Sequence, residues 1–487
     1  MLSQLKTHWF SNIRADVLSG LVVGLALIPE SIAFSIIAGV DPKVGLYASI
    51  CIAITLAFAG GRPAMISAAT GAVALLVVGL VKDYGLQYLL AATVLAGILQ
   101  IVIGYLKLAK WMRFVSKSVV TGFLNALSIL IFMAQLPHFV GADASMYVLV
   151  VLGLLMVYGF AYLPKIGKLL PAPLVSIVLL SILVFALGIE TKTVGDMGSL
   201  PDTLPVFLLP NIPFNWETFM IILPYSLAMA VVGLLESMMT ATVLDDITQS
   251  PSDKFRECKG QGMGNIVSGM MGGMAGCAMI GQSLMNVQSG ARTRLSTFSA
   301  GVFLLVLVVF LGDVIALIPM AALVAVMFMV AFSSFDWASI TQMHQRPLSS
   351  NIVMVATVLA VLATHNLAVG VLLGVVLSAL FLMNKLERQL HISATSNAQG
   401  HSVYSVEGAV FFSSVPQIVA FVANQMHQST VVLDFTHAHI HDLTSVQAMD
   451  DMLKKWRSSG KQVSLTGLNP HSLALFEQHA TEKLHQS

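Results

Sequence analysis

Fourteen apolar segments follow one another through residues 1–385 and decide what this chain can become. They run over 16–38, 43–59, 66–81, 87–106, 116–135, 146–162, 172–188, 217–243, 259–277, 281–291, 297–312, 315–334, 351–365 and 367–384. Each is long enough, or nearly so, to cross about 30 Å of hydrocarbon at about 1.5 Å of rise per residue. A lipid solvent leaves no partner for exposed backbone, so spanning segments of this length must be helices. The pattern predicts an all-α polytopic membrane protein. The third and tenth segments are too short or too polar to cross alone, and each follows a Gly- or Ala-rich stretch. A helix breaks cheaply there only where the freed backbone is buried in protein or lines a cavity.

Composition excludes the main alternatives. Only 10% of residues are charged and 56% are apolar, with a mean hydropathy of +0.84. A soluble enzyme or a disordered chain carries far more charge. The balance of 25 Lys+Arg against 24 Asp+Glu leaves a net +1 and no basic footprint for nucleic acid. Cys51, Cys258 and Cys277 are too few and too scattered for a disulfide framework or a zinc site, and read as small buried residues. Met1 to Asp16 contains no apolar run or cleavage site of a signal peptide, so the first apolar segment is expected to remain as a membrane helix.

Lys and Arg in short loops set the expected orientation. Lys6 and Arg14 precede the first segment, and Lys107, Lys110, Arg113 and Lys117 separate the fourth from the fifth. Lys165 and Lys168 follow the sixth, Lys254, Arg256 and Lys259 the eighth, Arg292 and Arg294 the tenth, Arg346 the twelfth, and Lys385 and Arg388 the fourteenth. If every segment counts as one pass, all of these fall on one side. That side is the cytoplasm, with both termini inside. The opposite loops carry Asp143, Glu190, Asp196, Asp202, Glu217 and Asp313, with Lys192 in the minority. An odd number of crossings would split the basic clusters between the two sides.

The charge density rises after Glu387. Residues 386–487 read as a small soluble α/β domain, and residues 1–385 as the membrane domain. Val403 to Phe412, Thr430 to Phe435 and Gln462 to Thr466 carry the β-branched and aromatic residues of strands. Val446, Met449, Leu453 and Trp456 repeat at helical spacing between two of them, which makes a βαβ unit.

Two half-helices that start inside the membrane would make an anion site. The positive end of a helix points unpaired N–H groups at whatever sits before it, and two such ends hold an anion without an arginine. The first candidate end is Ser67-Ala68-Ala69-Thr70-Gly71, where small residues admit a ligand and Thr70 offers a hydroxyl. The second is Ile280-Gly281-Gln282-Ser283, after the Gly-rich run Gly269 to Gly276. The same small residues are equally what close helix packing needs, as in Gly20-xxx-Gly24.

Glu236 lies inside the eighth apolar segment. An ionised carboxylate in lipid costs at least about 2.5 kcal/mol, so it must face protein or water and have a partner. Thr240 stands one helical turn away on the same face. A carboxylate, a hydroxyl and nearby backbone carbonyls are hard oxygen ligands suited to a small cation, and a proton is the rival means of neutralising the charge. Glu30, after Pro29, either borders the cavity or packs inside the bundle. Asp245 and Asp246 end the eighth segment, where negative charge is unfavourable, so they are expected to pair with Lys254 or Arg256. His365 and Asn366 read as interfacial. Gly260-Gln261-Gly262-Met263-Gly264 follows no strand and reads as helix packing. No catalytic or nucleotide-binding motif is present, so the chain is not expected to be an enzyme, and transport would run on ion gradients.

Several stretches resemble the SulP/SLC26 anion transporter family. Asp16-Val17-Leu18-Ser19-Gly20-Leu21-Val22-Val23-Gly24-Leu25, followed by Ile28-Pro29-Glu30, Ala38-Gly39-Val40-Asp41-Pro42 and Gly45-Leu46-Tyr47, is similar to the family's first-helix signature, with Glu30 where many members have Gln. Val119-Val120-Thr121-Gly122-Phe123 resembles its fifth helix and Ile318-Pro319-Met320-Ala321-Ala322-Leu323 its twelfth. The tail resembles a STAS domain. The resemblance implies two inverted seven-helix repeats, a core domain moving against a gate domain, a substrate between helices three and ten, and a homodimer. Within the family the chain looks most like the BicA-type branch of sodium-dependent bicarbonate transporters. Ala69, Thr70 and Gly71 then match the third-helix substrate position, Ile280, Gly281, Gln282 and Ser283 the start of helix ten, and Glu236 with Thr240 a sodium site in which the acidic residue is otherwise Asp. Asp442-Leu443-Thr444 resembles the phosphorylated loop of soluble STAS regulators, and Asp442 serves equally as a helix N-cap.

The expected function is secondary active uptake of a small oxyanion, bicarbonate first, with Na+ as the coupling ion and no other cofactor, in the bacterial inner membrane. Proton-coupled uptake of sulfate or a dicarboxylate, and a passive anion channel, are the alternatives.

Overall fold

A computed structural model of the chain describes residues 9–107, 110, 115–160, 171–201, 203–396, 402–425 and 430–480. Lys6, Arg113, Lys165, Lys168 and Asp202 lie outside the described residues. The chain divides into two compact units, residues 1–375 and 376–487.

The first repeat consists of α1 (Ile13–Ala38), α2 (Pro42–Ala59), strand β1 (Ser67–Ala69), α3 (Gly71–Tyr84), α4 (Leu86–Tyr105), α5 (Lys117–Gln135), α6 (Ala144–Phe160) and α7 (Ala172–Leu187). The second consists of α8 (Trp216–Thr248), α9 (Lys254–Met270), strand β2 (Gly276–Ala278), α10 (Ile280–Gln288), α11 (Arg294–Phe310), α12 (Met320–Ser334), α13 (Leu348–Thr364) and α14 (Leu367–Glu387). Each apolar segment of the sequence thus yields one main helix, and the strands precede the third and tenth. Among the described residues, six helices are long and apolar enough to cross a membrane by themselves: α1, α2, α4, α5, α8 and α14.

Packing exchanges the two repeats. Helix α1 packs on α11 as α8 packs on α4, α2 on α11 as α9 on α4, and α5 on α13 as α12 on α6. The pairs α2–α9, α5–α12 and β1–β2 map onto themselves. Such an exchange by seven helices is the signature of inverted repeats about a two-fold axis. Helices α1–α4 and α8–α11 form one block, and α5–α7 and α12–α14 the other.

Small residues set the contacts within the first block. A methyl on either Gly97 of α4 or Gly262 of α9 would strike the other's backbone carbonyl. On Gly20 it would fall 2.5 Å from the Ser296 carbonyl of α11, and on Gly24 3.0 Å from that of Ala300. Both glycine patterns are therefore helix-crossing surfaces. Buried Asp16 ties α1 to the start of α11, accepting from Arg292 N at 2.8 Å, Thr293 N at 3.1 Å and Thr293 Oγ1 at 2.7 Å. At the far end of α8, Asp245 pairs with Lys254 at 2.8 Å, as expected, and also with Arg62 at 3.3 Å. Arg256 donates instead to the carbonyls of Ala59 and Phe58, at 3.3 and 2.9 Å. His365 adopts positive φ and closes α13, and Asn366 Oδ1 accepts from Ala368 N at 2.9 Å to start α14.

The second unit holds a four-stranded sheet in the order β3-β4-β5-β6, with strands His391–Ser396, Ser402–Val410, Thr430–Ile440 and Gln462–Thr466. Strand β3 is antiparallel to β4, and the others are parallel. Helices α15 (Val415–Gln425) and α16 (Leu443–Ser458) make the two crossovers, and α17 (Pro470–His479) follows. Tyr404, Leu433, Phe435, Met449, Leu453 and Phe476 fill the core between sheet and helices.

Asp442 is the N-cap of α16. Its carboxylate accepts from Ser445 N at 2.7 Å and Ser445 Oγ at 3.0 Å, and it also holds Phe412 N at 2.9 Å. Replacing it with Ala removes a cap generally worth about 0.5–2 kcal/mol. Asp442→Ala should speed amide hydrogen exchange across α16 in the full chain, and Asp442→Asn should change it little; equal protection in all three proteins would refute the capping role.

Candidate functional site

The two strands fix where the broken helices begin. β1 and β2 pair antiparallel with Ser67 opposite Ala278, Ala68 opposite Cys277 and Ala69 opposite Gly276. A Cβ on Gly276 would overlap the Ala68 carbonyl, so this approach requires glycine. Gly272, at φ +78°, makes the turn from α9 that only glycine adopts freely. The strands pair with each other, the amides of Ala69, Gly276 and Ala278 donate outward to the side chains of Ser49, Asn265 and Ser237, and each strand then runs straight into a helix.

Among the described residues, the first amides of both helices have no hydrogen-bond partner. Thr70 is the extended N-cap of α3 and Met279 that of α10, and neither side chain caps its helix. The first intrahelical bonds are Ala74 N to Thr70 O at 2.9 Å and Ser283 N to Met279 O at 3.0 Å. The amides of Gly71, Ala72 and Val73, and those of Ile280, Gly281 and Gln282, therefore precede the ladder of each helix. Helices α8, α9 and α11 are capped by Asn215, Asp253 and Thr293, whereas α1, α2, α4, α5, α7, α12 and α13 share with α3 and α10 the lack of a side-chain cap. What sets α3 and α10 apart is that they begin beside each other behind the paired strands.

One face of α1 places the two helix ends close together. The Gln282 side chain, in the first turn of α10, donates to the carboxylate of Glu30. Four residues further along α1, Phe34 lies against the first residue of α3: a Cβ on Gly71 would come within 2.9 Å of its ring and 3.1 Å of Ile131 on α5. Residues i and i+4 are neighbours on a helix face. The starts of α3 and α10 thus meet α1 within about one turn of each other. Ile131 belongs to the other block, so the end of α3 sits at the seam between the two. Gly281 faces open space: a methyl added there would have no heavy atom within 4 Å.

The remaining expected residues have definite places. Ala69 donates its amide to Ser49 Oγ at 3.1 Å, and Ser49 bonds Ser31 at 2.6 Å, which pins β1 to α1 and α2. Ser283 is turned toward the segment before β1, its Oγ accepting from Ile66 N at 3.0 Å. Thr240 donates to the Glu236 carbonyl at 2.8 Å and lies 3.5 Å from the Ala278 carbonyl of β2. Ser237, beside Glu236, accepts from Ala278 N at 3.0 Å. The Glu236 carboxylate accepts from Cys277 Sγ at 2.9 Å, and Sγ lies 3.1 Å from Thr70 Oγ1. The eighth helix therefore presents a carboxylate and a hydroxyl to the middle of β2. With the Ala278 carbonyl these are hard oxygen donors, a set that fits a small cation. Among the described residues no cluster of three His, Cys, Asp or Glu side chains suits a transition metal.

Glu30 is buried, and its carboxylate accepts from Gln282 in the first turn of α10. Cys277 and Phe34 are legible in the sequence only as small or apolar fillers, because their neighbours lie in distant segments. Glu257 gives no sequence signal of its role. It is fully buried and accepts from Gly61 N at 2.6 Å, Arg62 N at 3.0 Å and Gln261 Nε2 at 2.9 Å; Gln261 Nε2 also reaches Ser67 Oγ at 2.8 Å. This network braces β1 from the side of α9.

Comparison with known proteins agrees with this architecture. The sulfate permease family profile matches residues 13–152 and 144–358, and the STAS domain profile residues 393–485. A Bacillus subtilis (strain 168) protein named "Putative sulfate transporter YbaR" is 50% identical over 476 residues, covering 98% of this chain and 99% of its own length. The "Bicarbonate transporter BicA" of Picosynechococcus sp. is 27% identical over 436 residues, covering 83% of this chain and 74% of its own. In fold, the chain superposes on the transmembrane domain of a cyanobacterium bicarbonate transporter BicA with a TM-score of 0.65, at 24% identity over 76% of this chain and 98% of that one. It superposes on the inward-facing murine Slc26a9 anion transporter with a TM-score of 0.84, at 17% identity over 98% and 89% of the two chains. The profile over most of the chain and the 50% identity along nearly its whole length, matched by the inverted repeats and the α/β tail, place this chain in the sulfate permease (SulP/SLC26) family of membrane anion transporters.

Proposed function

We propose that this chain is a secondary active carrier that imports a small oxyanion by alternating access, with bicarbonate as cargo and Na+ as the coupling ion. The observation that carries this reading is the convergence of two uncapped helix N-termini on α1, with an oxygen-rich set at Glu236, Thr240 and Ala278 one strand away. The amides of Gly71–Val73 and of Ile280–Gln282 supply partial positive charge to an anion. A cation at Glu236 offsets the repulsion between that carboxylate and the anion, so each ion favours the other. Linkage makes the effect reciprocal. The seam between the blocks, where Gly71 meets Ile131, is where movement of one block against the other would expose the site to either side.

On the same reading the protein lies in the bacterial inner membrane with both termini cytoplasmic, supported by the one-sided bias of Lys and Arg. It acts as a homodimer, which rests on the family resemblance.

A second reading, proton-coupled uptake of sulfate or a dicarboxylate, is supported by Glu30 and by the printed name of the 50%-identical relative. A buried carboxylate at the start of α10 opposes an anion until it is neutralised, and a proton neutralises it. Proteoliposome uptake of labelled bicarbonate, sulfate and succinate, each with Na+ or with an inward proton gradient, separates the readings. Saturable bicarbonate uptake that requires Na+ is expected. Sulfate uptake driven by the proton gradient alone would replace the first reading with the second, and non-saturating currents without a coupling ion would make the protein a channel.

A further inference from the structure

We propose that the Cys277 thiol is a switchable hydrogen-bond donor that transmits cation occupancy at Glu236 to Thr70 at the start of α3. This rests on the reading of Glu236 as a cation ligand and of the α3 end as an anion site. The three side chains form one buried line: Thr70 Oγ1 is 3.1 Å from Cys277 Sγ, and Sγ is 2.9 Å from Glu236 Oε2. They come from three different elements, the cap of α3, the centre of β2 and the middle of α8. Among the described residues Cys277 is the one side-chain donor to the Glu236 carboxylate.

The direction of the line follows from donor counting. A carboxylate only accepts, a thiol has one proton, and a hydroxyl has one proton and two lone pairs. With the carboxylate free, the S–H must point to Glu236. The sulfur is then an acceptor, and the Thr70 O–H points to it, away from the α3 end. When Na+ draws on the Glu236 oxygens, that acceptor weakens and the S–H swings to Thr70 Oγ1. The Thr70 O–H is released and becomes a donor for an anion at the helix end. No covalent bond changes; two X–H bonds rotate. The converse holds as linkage requires: an anion that takes the Thr70 O–H draws the S–H after it and leaves Glu236 a freer ligand for the cation. Cys277 is thus a positioning residue for the coupled binding of two ions. Its ladder partner, Ala68, has no polar side-chain atom to take its place.

Calorimetry on the full-length protein in detergent tests this, with bicarbonate and sulfate as titrants and either Na+ or choline as the cation. Wild-type protein should bind its anion at least about fivefold more tightly in Na+, the lower end of ordinary coupling. Cys277→Ala should lower that ratio at least about twofold, leaving the direct charge coupling between the two ions, while still binding anion. Cys277→Ser, which keeps one donor and one acceptor, should restore it. Thr70→Val breaks the line at its other end and should lower the Na+ effect as Cys277→Ala does. A Cys277→Ala protein with the wild-type ratio, or a Ser variant that behaves like Ala, overturns the relay alone. A wild-type protein whose anion affinity ignores Na+ overturns the cation reading beneath it and the relay with it.

Discussion

Glu236→Gln is expected to abolish Na+-stimulated uptake. The substitution keeps size and shape and removes the charge that, on the proposed reading, pairs with a cation. Glu236 is held in the interior of α8, with 8% of its surface exposed, where water cannot substitute for the lost partner. Removing one member of a buried charge pair generally costs about 3–5 kcal/mol, which corresponds to a weakening of Na+ binding by roughly two orders of magnitude or more. The Cys277 thiol can still donate to the Gln carbonyl oxygen, so the strand pair should stay in place. Two measurements on the same preparation check this: the Na+ concentration for half-maximal uptake, and anion binding in choline. The first should become unmeasurable while the second survives. An unaltered half-maximal Na+ concentration would remove Glu236 from the mechanism.

The second large effect concerns two glycines five residues apart. Gly276 lies in β2, where any Cβ collides with the Ala68 carbonyl of β1. Gly281 lies in the first turn of α10, where a methyl meets open space. Gly276→Ala should therefore push the strands apart, cost about 1–3 kcal/mol as overpacking does, and shift α10 relative to α3. Both thermal stability and anion binding should fall. Gly281→Ala should leave stability intact or improve it, because Ala is the better helix former by up to about 1 kcal/mol. Its methyl occupies the space before the α10 amides, so anion affinity alone should fall, by about tenfold or more for one displaced hydrogen-bonded contact to a charge. A thermal melt with and without sulfate or bicarbonate distinguishes the two. If Gly276→Ala melts like wild type, the ladder is not a rigid brace; if Gly281→Ala binds anion normally, that space is not the anion site.

The contrast between these glycines shows what a sequence can and cannot disclose. The fourteen segments are readable because apolar length is a one-dimensional property, and most helix ends fall within a few residues of the expected positions. The ninth segment, expected over 259–277, is instead α9 followed by a turn and β2. Its Gly-rich run has the composition of continuous helix packing, yet Gly272 takes positive φ, and Gly273 and Gly276 approach backbone from α2 and β1. Backbone proximity leaves no trace in hydropathy. The segment expected over 315–334 becomes α12 only from Met320, because a short helix, Gly312–Ala316, stops before Pro319, and Pro319 is the N-cap of α12. In the tail, β4, β5, α16 and β6 are visible through their alternation and helical spacing, whereas β3, largely exposed, carries no such pattern.

The candidate site is legible in its parts and not in its connections. Thr70, Gly281 and Glu236 stand out by residue type, since small residues at a break and a carboxylate in lipid are both anomalies. The bonds that join the site span large sequence separations: Glu30 to Gln282, Cys277 to Glu236, and Cys277 to Thr70. Glu257 escapes notice because it sits among Lys254, Arg256 and Lys259, where an acid looks like ordinary loop chemistry. Its partners, Gly61 and Arg62, are almost two hundred residues away.

The contact between Gly97 and Gly262 has a mechanical consequence. Where two helices meet main chain to main chain, no rotamer can hop and no side chain can be squeezed, so that joint has no soft direction. A push applied to α4 is therefore handed on to α9 with no side chain between them to absorb it. On the proposed reading, ions held at the helix ends would then travel as fixed cargo on a stiff hull, and the give needed for each cycle falls to the boundary with α5 and α12.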